Sequence, residues 1–317
     1  TATGRSSVIS FAGGYHGMGQ GPLACMGNLN AKSRITGLMP DVHSFPFPYS
    51  YRCPFGLGGE AGVKAACNFF ERTLKDPESG ITKPACVIIE PIQGEGGVIP
   101  APVEFLQTVR RVTKELDIPM IVDEIQCGMG RSGKLFAFEY ADIIPDVVLI
   151  SKAVGGSQPL AVVVYNKNLD KWTAGAHAGT FRGNQLAMKA GTIVLNRVSK
   201  KEFLDDVVRK GDLIRTKLEE LKQKVSIIGD VRGKGLMIGT EFVNPKAEKD
   251  CIGSLPSSGE IAAQVQKLCF ENGLIVEKGG RFGSVMRCLC ALNISDEDLN
   301  KAWKIFENAV ITVDKQI

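Results

Sequence analysis

Three short apolar runs in this chain each end in residues that can do chemistry. Ala85-Cys86-Val87-Ile88-Ile89 is closed by Glu90-Pro91, Pro119-Met120-Ile121-Val122 by Asp123-Glu124, and Val147-Val148-Leu149-Ile150 by Ser151-Lys152. Apolar runs of this length, bounded by charge or proline, read as buried strands. Carboxylates and an amine gathered in one place can bind a charged ligand or move a proton, and the amine can attack a carbonyl. A single charge at a strand end often just reaches solvent. Three in succession each need a partner or a ligand to offset desolvation.

The elements between them predict how the three are brought together. Val103, Leu106, Val109, Val112 and Leu116 recur at helical spacing between the first two runs, as in an amphipathic helix lying on a sheet. A strand, helix, strand order implies parallel strands, and an open parallel sheet gathers ligands at its carboxyl edge. That edge would carry Glu90, Asp123 and Lys152 together. Ala161-Val162-Val163-Val164-Tyr165 supplies a further strand. The fold class expected is α/β.

Gly128-Met129-Gly130-Arg131-Ser132-Gly133 matches a dinucleotide-binding glycine pattern. That fingerprint needs its first glycine at the turn from strand to helix and an acidic residue closing the next strand. Here four residues, Glu124 to Cys127, separate Asp123 from the first glycine, and the next strand closes on Lys152. A nicotinamide-dependent oxidoreductase is therefore the weaker reading.

Composition narrows the class further. A length of 317 residues predicts two domains. With 44% apolar and 23% charged residues the chain is neither disordered nor fibrous. The net charge of +4 comes from basic residues scattered along the chain, which does not suggest nucleic acid as a partner. No apolar run approaches the roughly 20 residues of a membrane span, and no signal peptide is visible. Nine cysteines without a C-x-x-C pair suit a reducing, cytoplasmic setting. Cys288 and Cys290, in a chain with three histidines, read as core packing and no metal site is expected.

An apolar strand ending in Asp123, followed after 29 residues by Lys152 in a Ser-Lys-Ala turn with glycines beyond it, resembles the class III aminotransferases of the fold type I pyridoxal-phosphate enzymes. Phe11-Ala12-Gly13-Gly14-Tyr15-His16-Gly17, Glu90-Pro91-Ile92-Gln93-Gly94-Glu95-Gly96-Gly97 and Gly179-Thr180-Phe181-Arg182-Gly183-Asn184 carry the same likeness. The resemblance implies a mostly parallel cofactor-binding large domain over residues 1–200 and a C-terminal α+β small domain over 201–317. Members carry a further N-terminal segment that grips the cofactor phosphate with a helix start. The chain begins Thr1-Ala2-Thr3 without a methionine, so that segment is expected to be missing. A truncated, non-catalytic form is the alternative that follows.

The resemblance also implies roles. Lys152 would form a Schiff base with pyridoxal 5'-phosphate and, once freed, shuttle the substrate proton. Asp123 would keep the pyridine nitrogen protonated. Gln126 would hydrogen-bond the ring hydroxyl, Tyr15 would stack on the ring with His16 beside it, and Ile125 would pack on the opposite face. Thr180 would reach the cofactor phosphate of a neighbouring subunit, making the unit a homodimer with shared active sites. Glu95 and Arg287 match a switch pair, with Arg287 binding the α-carboxylate of 2-oxoglutarate or glutamate. Arg52-Cys53-Pro54-Phe55-Gly56 and His177 to Gln185 look most like the members that use 2,4-diaminobutyrate as donor. Ornithine, acetylornithine and 4-aminobutyrate are the alternative donors. Arg287-Cys288-Leu289-Cys290-Ala291-Leu292 departs from the family, which has prolines in that run, so the local backbone is expected to differ.

Overall fold

Val8-Ile9-Ser10-Phe11 is buried along its whole length and pairs in parallel on both sides, as expected of an apolar run inside a parallel sheet. The computed structural model describes residues 1–317. Its strands in the first half of the chain are β1 (Val8–Phe11), β2 (Val42–Phe45), β3 (Cys86–Ile89), the two-residue β4 (Ile92–Gln93) and β5 (Ile99–Pro100), β6 (Met120–Asp123), β7 (Val147–Ile150) and β8 (Val162–Tyr165). β4 and β5 pair with each other, and the rest form one sheet in the order β2-β1-β3-β6-β7-β8. All its neighbours are parallel except β7 and β8, which run antiparallel.

Two short helices, α1 (Gln20–Ala24) and α2 (Leu29–Lys32), precede α3 (Gly59–Lys75) and α4 (Val103–Glu115). The last two pack on the sheet through Ala66, Cys67 and Phe70 from α3 and Phe105, Leu106, Val109 and Val112 from α4. Phe11, Phe47, Phe70 and Phe105 meet edge-on or stacked with ring centroids 5.7–6.2 Å apart, a spacing at which aromatic pairs add to simple burial. One detail of the expected stripe differs. Val103 is 42% exposed and Phe105 is buried in its stead, because Val103 opens the first helical turn directly after Pro102, before the helix has settled on the sheet.

After α5 (Gln185–Val198) and α6 (Lys201–Lys222) come β9 (Ile228–Lys234), β10 (Met237–Phe242), α7 (Gly259–Glu271), β11 (Glu277–Gly279), β12 (Val285–Cys288) and α8 (Asp296–Asp314). These strands form an antiparallel sheet in the order β11-β12-β10-β9. Its apolar face packs on α6, α7 and α8 through a second core that includes Ile214, Leu218, Ile238, Phe242, Val265, Trp303 and Val310. The two sheets are tied by charge. Glu241 on β10 accepts from Tyr49 and Arg52, and from Arg232 on β9 at 2.9 Å. No helix is long and apolar enough to cross a membrane.

The aromatic layer under the larger sheet sets a stability test. Phe105 is 1% exposed and meets three other phenylalanine rings. Phe105→Ala should cost about 3–5 kcal/mol, read as a lowered urea midpoint with an unchanged slope.

Candidate active site

β3, β6 and β7 are adjacent and parallel, so their carboxyl ends meet at one edge. Asp123 closes β6 and is 3% exposed, Glu90 follows β3 and is 6% exposed, and Lys152 follows β7 with its side chain exposed. The three residues selected by their strand-end positions are therefore brought together.

Each buried carboxylate there is spoken for. Asp123 Oδ1 accepts the Ile125 amide at 3.1 Å, and Oδ2 lies 2.9 Å from His16 Nδ1. A carboxylate oxygen can only accept, so Nδ1 carries the hydrogen. The His16 side chain is buried against Asp123 and orients it. Glu90 accepts the amides of Tyr15 and Gly94, each at 2.8 Å. Burial pushes the Glu90 carboxyl up to about 7, against the pull of His16 and the two amides. Its service is to fix the Tyr15 loop and the glycine-rich turn in place.

That turn carries Glu95. Its Oε1 accepts from Arg287 Nη1 at 2.7 Å and from Gln126 Nε2 at 3.0 Å. Burial raises the Glu95 carboxyl, but the hydrogen bonds from Arg287 and Gln126, with the charges of Arg287 and Lys152, hold it below the ordinary range. Arg287 itself has a side chain 1% exposed, is also held by Glu277 at 2.7 Å through Nη2, and keeps a buried Nε without a partner. A Cβ at Gly94 would fall 1.9 Å from Gln126 Oε1, so a larger residue there would displace the Gln126 amide.

Lys152 stands at φ +50°, the left-handed region that a residue with a Cβ seldom adopts. Such strain persists only where the surroundings enforce it. The turn is held by Ser151 Oγ donating to the Leu160 carbonyl at 2.9 Å and by α5 pressed close behind it. Gly191 permits that approach, because a Cβ would sit 2.4 Å from the Val154 carbonyl oxygen.

Tyr15, Ile125 and Gln126 are partly buried on loops next to Glu90 and Asp123 in the chain or by hydrogen bond. Thr180 stands apart. It is exposed and unpartnered in a stretch that also exposes Trp172 at 52% and Phe181 at 87%. The glycines of residues 128–133 lie in turns, with Gly130 facing Leu204 and Gly133 facing Val208 of α6. They open no helix, so the dinucleotide reading lapses. No group of three or more metal-ligating side chains exists. The sequence reasoning missed Glu277 as a second partner of Arg287, and Arg232, whose Nη2 donates to the Gly97 carbonyl at 2.7 Å and clamps the turn. Neither has a local signal, since both depend on which strands become neighbours.

The Aminotransferase class-III family profile matches residues 1–310. The chain belongs to the class III aminotransferases. It is 53% identical over 301 residues to the diaminobutyrate–2-oxoglutarate aminotransferase of Rhizobium meliloti, covering 95% of this chain and 64% of that protein. With the enzyme of the same name from Haemophilus influenzae it is 49% identical, covering 100% of this chain and 70% of that protein. A solved Bacillus anthracis aminotransferase superposes with a TM-score of 0.86 at 24% identity, over 97% of this chain and 70% of that one. A transaminase from a marine Virgibacillus gives 0.83 at 25% identity, over 99% and 70%. The fold of this class III chain is fold type I, and it spans roughly two thirds of the length of these relatives.

Glu124 offers a test of the packing behind the site. It is 1% exposed and accepts from the Ala137 and Phe138 amides and the Cys127 thiol. Burial pushes its carboxyl up to about 7 from 4.5. The folded chain thus binds this proton more tightly than the unfolded one, so Glu124 subtracts stability as pH rises through that window, by an order of about 3 kcal/mol. Urea unfolding of Glu124→Gln should lose less stability between pH 4.5 and 7 than the parent. An identical loss in both would refute the shift.

Proposed function

We propose that this protein transfers the terminal amino group of L-2,4-diaminobutyrate to 2-oxoglutarate, giving aspartate 4-semialdehyde and glutamate, with pyridoxal 5'-phosphate as cofactor. The observation that carries this reading is the Glu95–Arg287 pair at 2.7 Å, joined through Gln126 to the edge that holds Asp123 and Lys152. Pyridoxal 5'-phosphate, when bound, supplies an aldehyde that can carry an amino group and a ring that accepts electron density from the substrate carbon.

The donor set fits that group. With Gln126 Nε2 committed to Glu95, its Oε1 is buried with no partner, the kind of orphan that a ring hydroxyl satisfies. Lys152 offers an unpaired amine, and Asp123 a carboxylate held by His16 that would pair with a ring nitrogen. Tyr15 and Ile125 would cover the two ring faces. Lys152 Nζ would take the proton from the amine-bearing terminal carbon and pass it to the cofactor.

Arg287 selects the acceptor. Its guanidinium can hold a carboxylate through a planar fork, and the unpartnered Nε adds a donor. A donor that presents no carboxylate there would strand a buried cation, at a cost of about 3–5 kcal/mol. Glu95, 39% exposed in its side chain, covers Arg287 in that half-reaction and withdraws toward solvent in the other. A second copy of the chain would complete the site with Thr180. The apolar surface exposed at Trp172, Phe181, Leu186 and Ile193 supports such a homodimer. Nine free thiols suit a cytoplasmic setting.

Borohydride reduction of the cofactor-loaded protein followed by peptide mapping should place the label on Lys152, and Lys152→Ala should lose both label and turnover. A label on another lysine contradicts the assignment. Asp123→Asn should still take the label but slow single-turnover proton transfer by a hundredfold or more, on the order of 3 kcal/mol. Arg287→Ala should weaken 2-oxoglutarate and glutamate far more than the diamine, whereas Glu95→Gln should chiefly harm the diamine. Equal losses for all substrates in both variants would eliminate the exchange.

A further inference from the structure

Behind the carboxylate site lies a pair of cysteines that the transamination chemistry does not use. β12 ends at Cys288, and Cys290 lies two residues beyond it. Cys288 and Cys290 both line one apolar cavity of about 280 Å³, walled by Ile214, Leu218, Ile294 and Trp303. Neither is fully buried. Arg287, between Met286 and Cys288, sends its guanidinium the other way, to Glu95.

A cation without a counter-ion stands next to this pair. Arg131 Nη1 donates to the carbonyl oxygens of Cys290 at 2.6 Å and Leu236 at 3.0 Å, and Arg131 forms no ion pair. Removed from water without a carboxylate, it leaves a positive field that favours a thiolate beside it. Lys210, itself bound to Asp206 at 2.5 Å, adds to the field. The neighbouring Cys288, with Arg131 and Lys210, lowers the Cys290 thiol against burial, whereas Cys290 and burial push the Cys288 thiol up.

We propose that Cys290 and Cys288 are the attacking and resolving thiols of a modification site for small uncharged disulfides entering this cavity, and that closing the pair loosens the hold of Arg287 on its carboxylate. The Cys290 thiolate attacks one sulfur of the disulfide RSSR, a Cys290–SR bond forms, and RS⁻ leaves and takes the proton Cys290 gave up. Cys288 then attacks the Cys290 sulfur, and the second RS⁻ leaves with the Cys288 proton. Two protein thiols are oxidised to a disulfide, and RSSR is reduced to two RSH.

Cα atoms two apart on a strand are separated by about 6.6 Å. That is near the upper end of the roughly 4.4–6.8 Å that a disulfide spans, so closure must draw in the chain one residue after Arg287. A bond closed under strain is also readily reduced again. The effect on Arg287 rests on its proposed carboxylate role; the thiol chemistry does not.

The test is treatment of the cofactor-loaded protein with 2-hydroxyethyl disulfide, blocking of remaining thiols with N-ethylmaleimide, and peptide mapping. The Cys288–Cys290 disulfide should form about tenfold faster than the adduct on the exposed Cys251. Cys288→Ser should trap the hydroxyethyl adduct on Cys290, and Cys290→Ser should leave Cys288 free. Calorimetry should show 2-oxoglutarate binding about tenfold weaker to the oxidised protein, reversed by dithiothreitol and absent in Cys290→Ser. Faster reaction at Cys251, or no trapped adduct in Cys288→Ser, overturns the thiol site. A disulfide that leaves 2-oxoglutarate affinity unchanged overturns its link to Arg287. If the parent protein binds no 2-oxoglutarate at all, the proposed function has failed, and the mapping still decides the thiol chemistry.

Discussion

Parallel strands β3, β6 and β7 deliver a glutamate, an aspartate and a lysine to the same sheet edge, and taking a carboxylate out of water costs several kcal/mol unless it is hydrogen-bonded. The loops above that edge are shaped by meeting this cost. Glu90 recruits the amides of Tyr15 and Gly94, and Asp123 recruits His16 and the amide of Ile125. Each partner comes from a loop that the site needs in position, so neutralising the charges and placing the surrounding side chains are one act. Lys152 is left without a partner in a strained turn at the same edge.

The second sheet completes the site by reaching over the first. Arg287 on β12 holds Glu95 by its side chain, the Gly280 amide holds the Glu95 carbonyl at 3.2 Å, and Arg232 on β9 grips Gly97. Three contacts on one short turn mean that movement of the smaller sheet is felt at Glu95. The buried cluster of Glu241, Tyr49, Arg52 and Arg232 restrains such movement at the seam. The coupling proposed for Cys288 and Cys290 uses the same strand, approached from its opposite face.

One departure from the sequence expectations has a plain cause. Val103 was expected inside and is found outside. The helical period located the residue correctly along the chain but not the direction of its side chain. That direction is set by what else arrives at the same place.

The sequence by itself determined the strands, their closing residues and the helix between them, because apolar runs and helical spacing are local properties with one economical way to be buried. From these, parallel pairing and the gathering of Glu90, Asp123 and Lys152 at one edge followed without coordinates. Pairings across large separations were decided only by the tertiary structure. Arg287 meets Glu95, Arg232 meets Gly97, and Arg131 meets Cys290 because the smaller sheet stacks against turns from the other half of the chain. The burial that gives each of these charges its energetic weight also exists only once the two cores have closed. A residue's type can be read from the chain, but its solvent exposure and its counter-ion are properties of the fold.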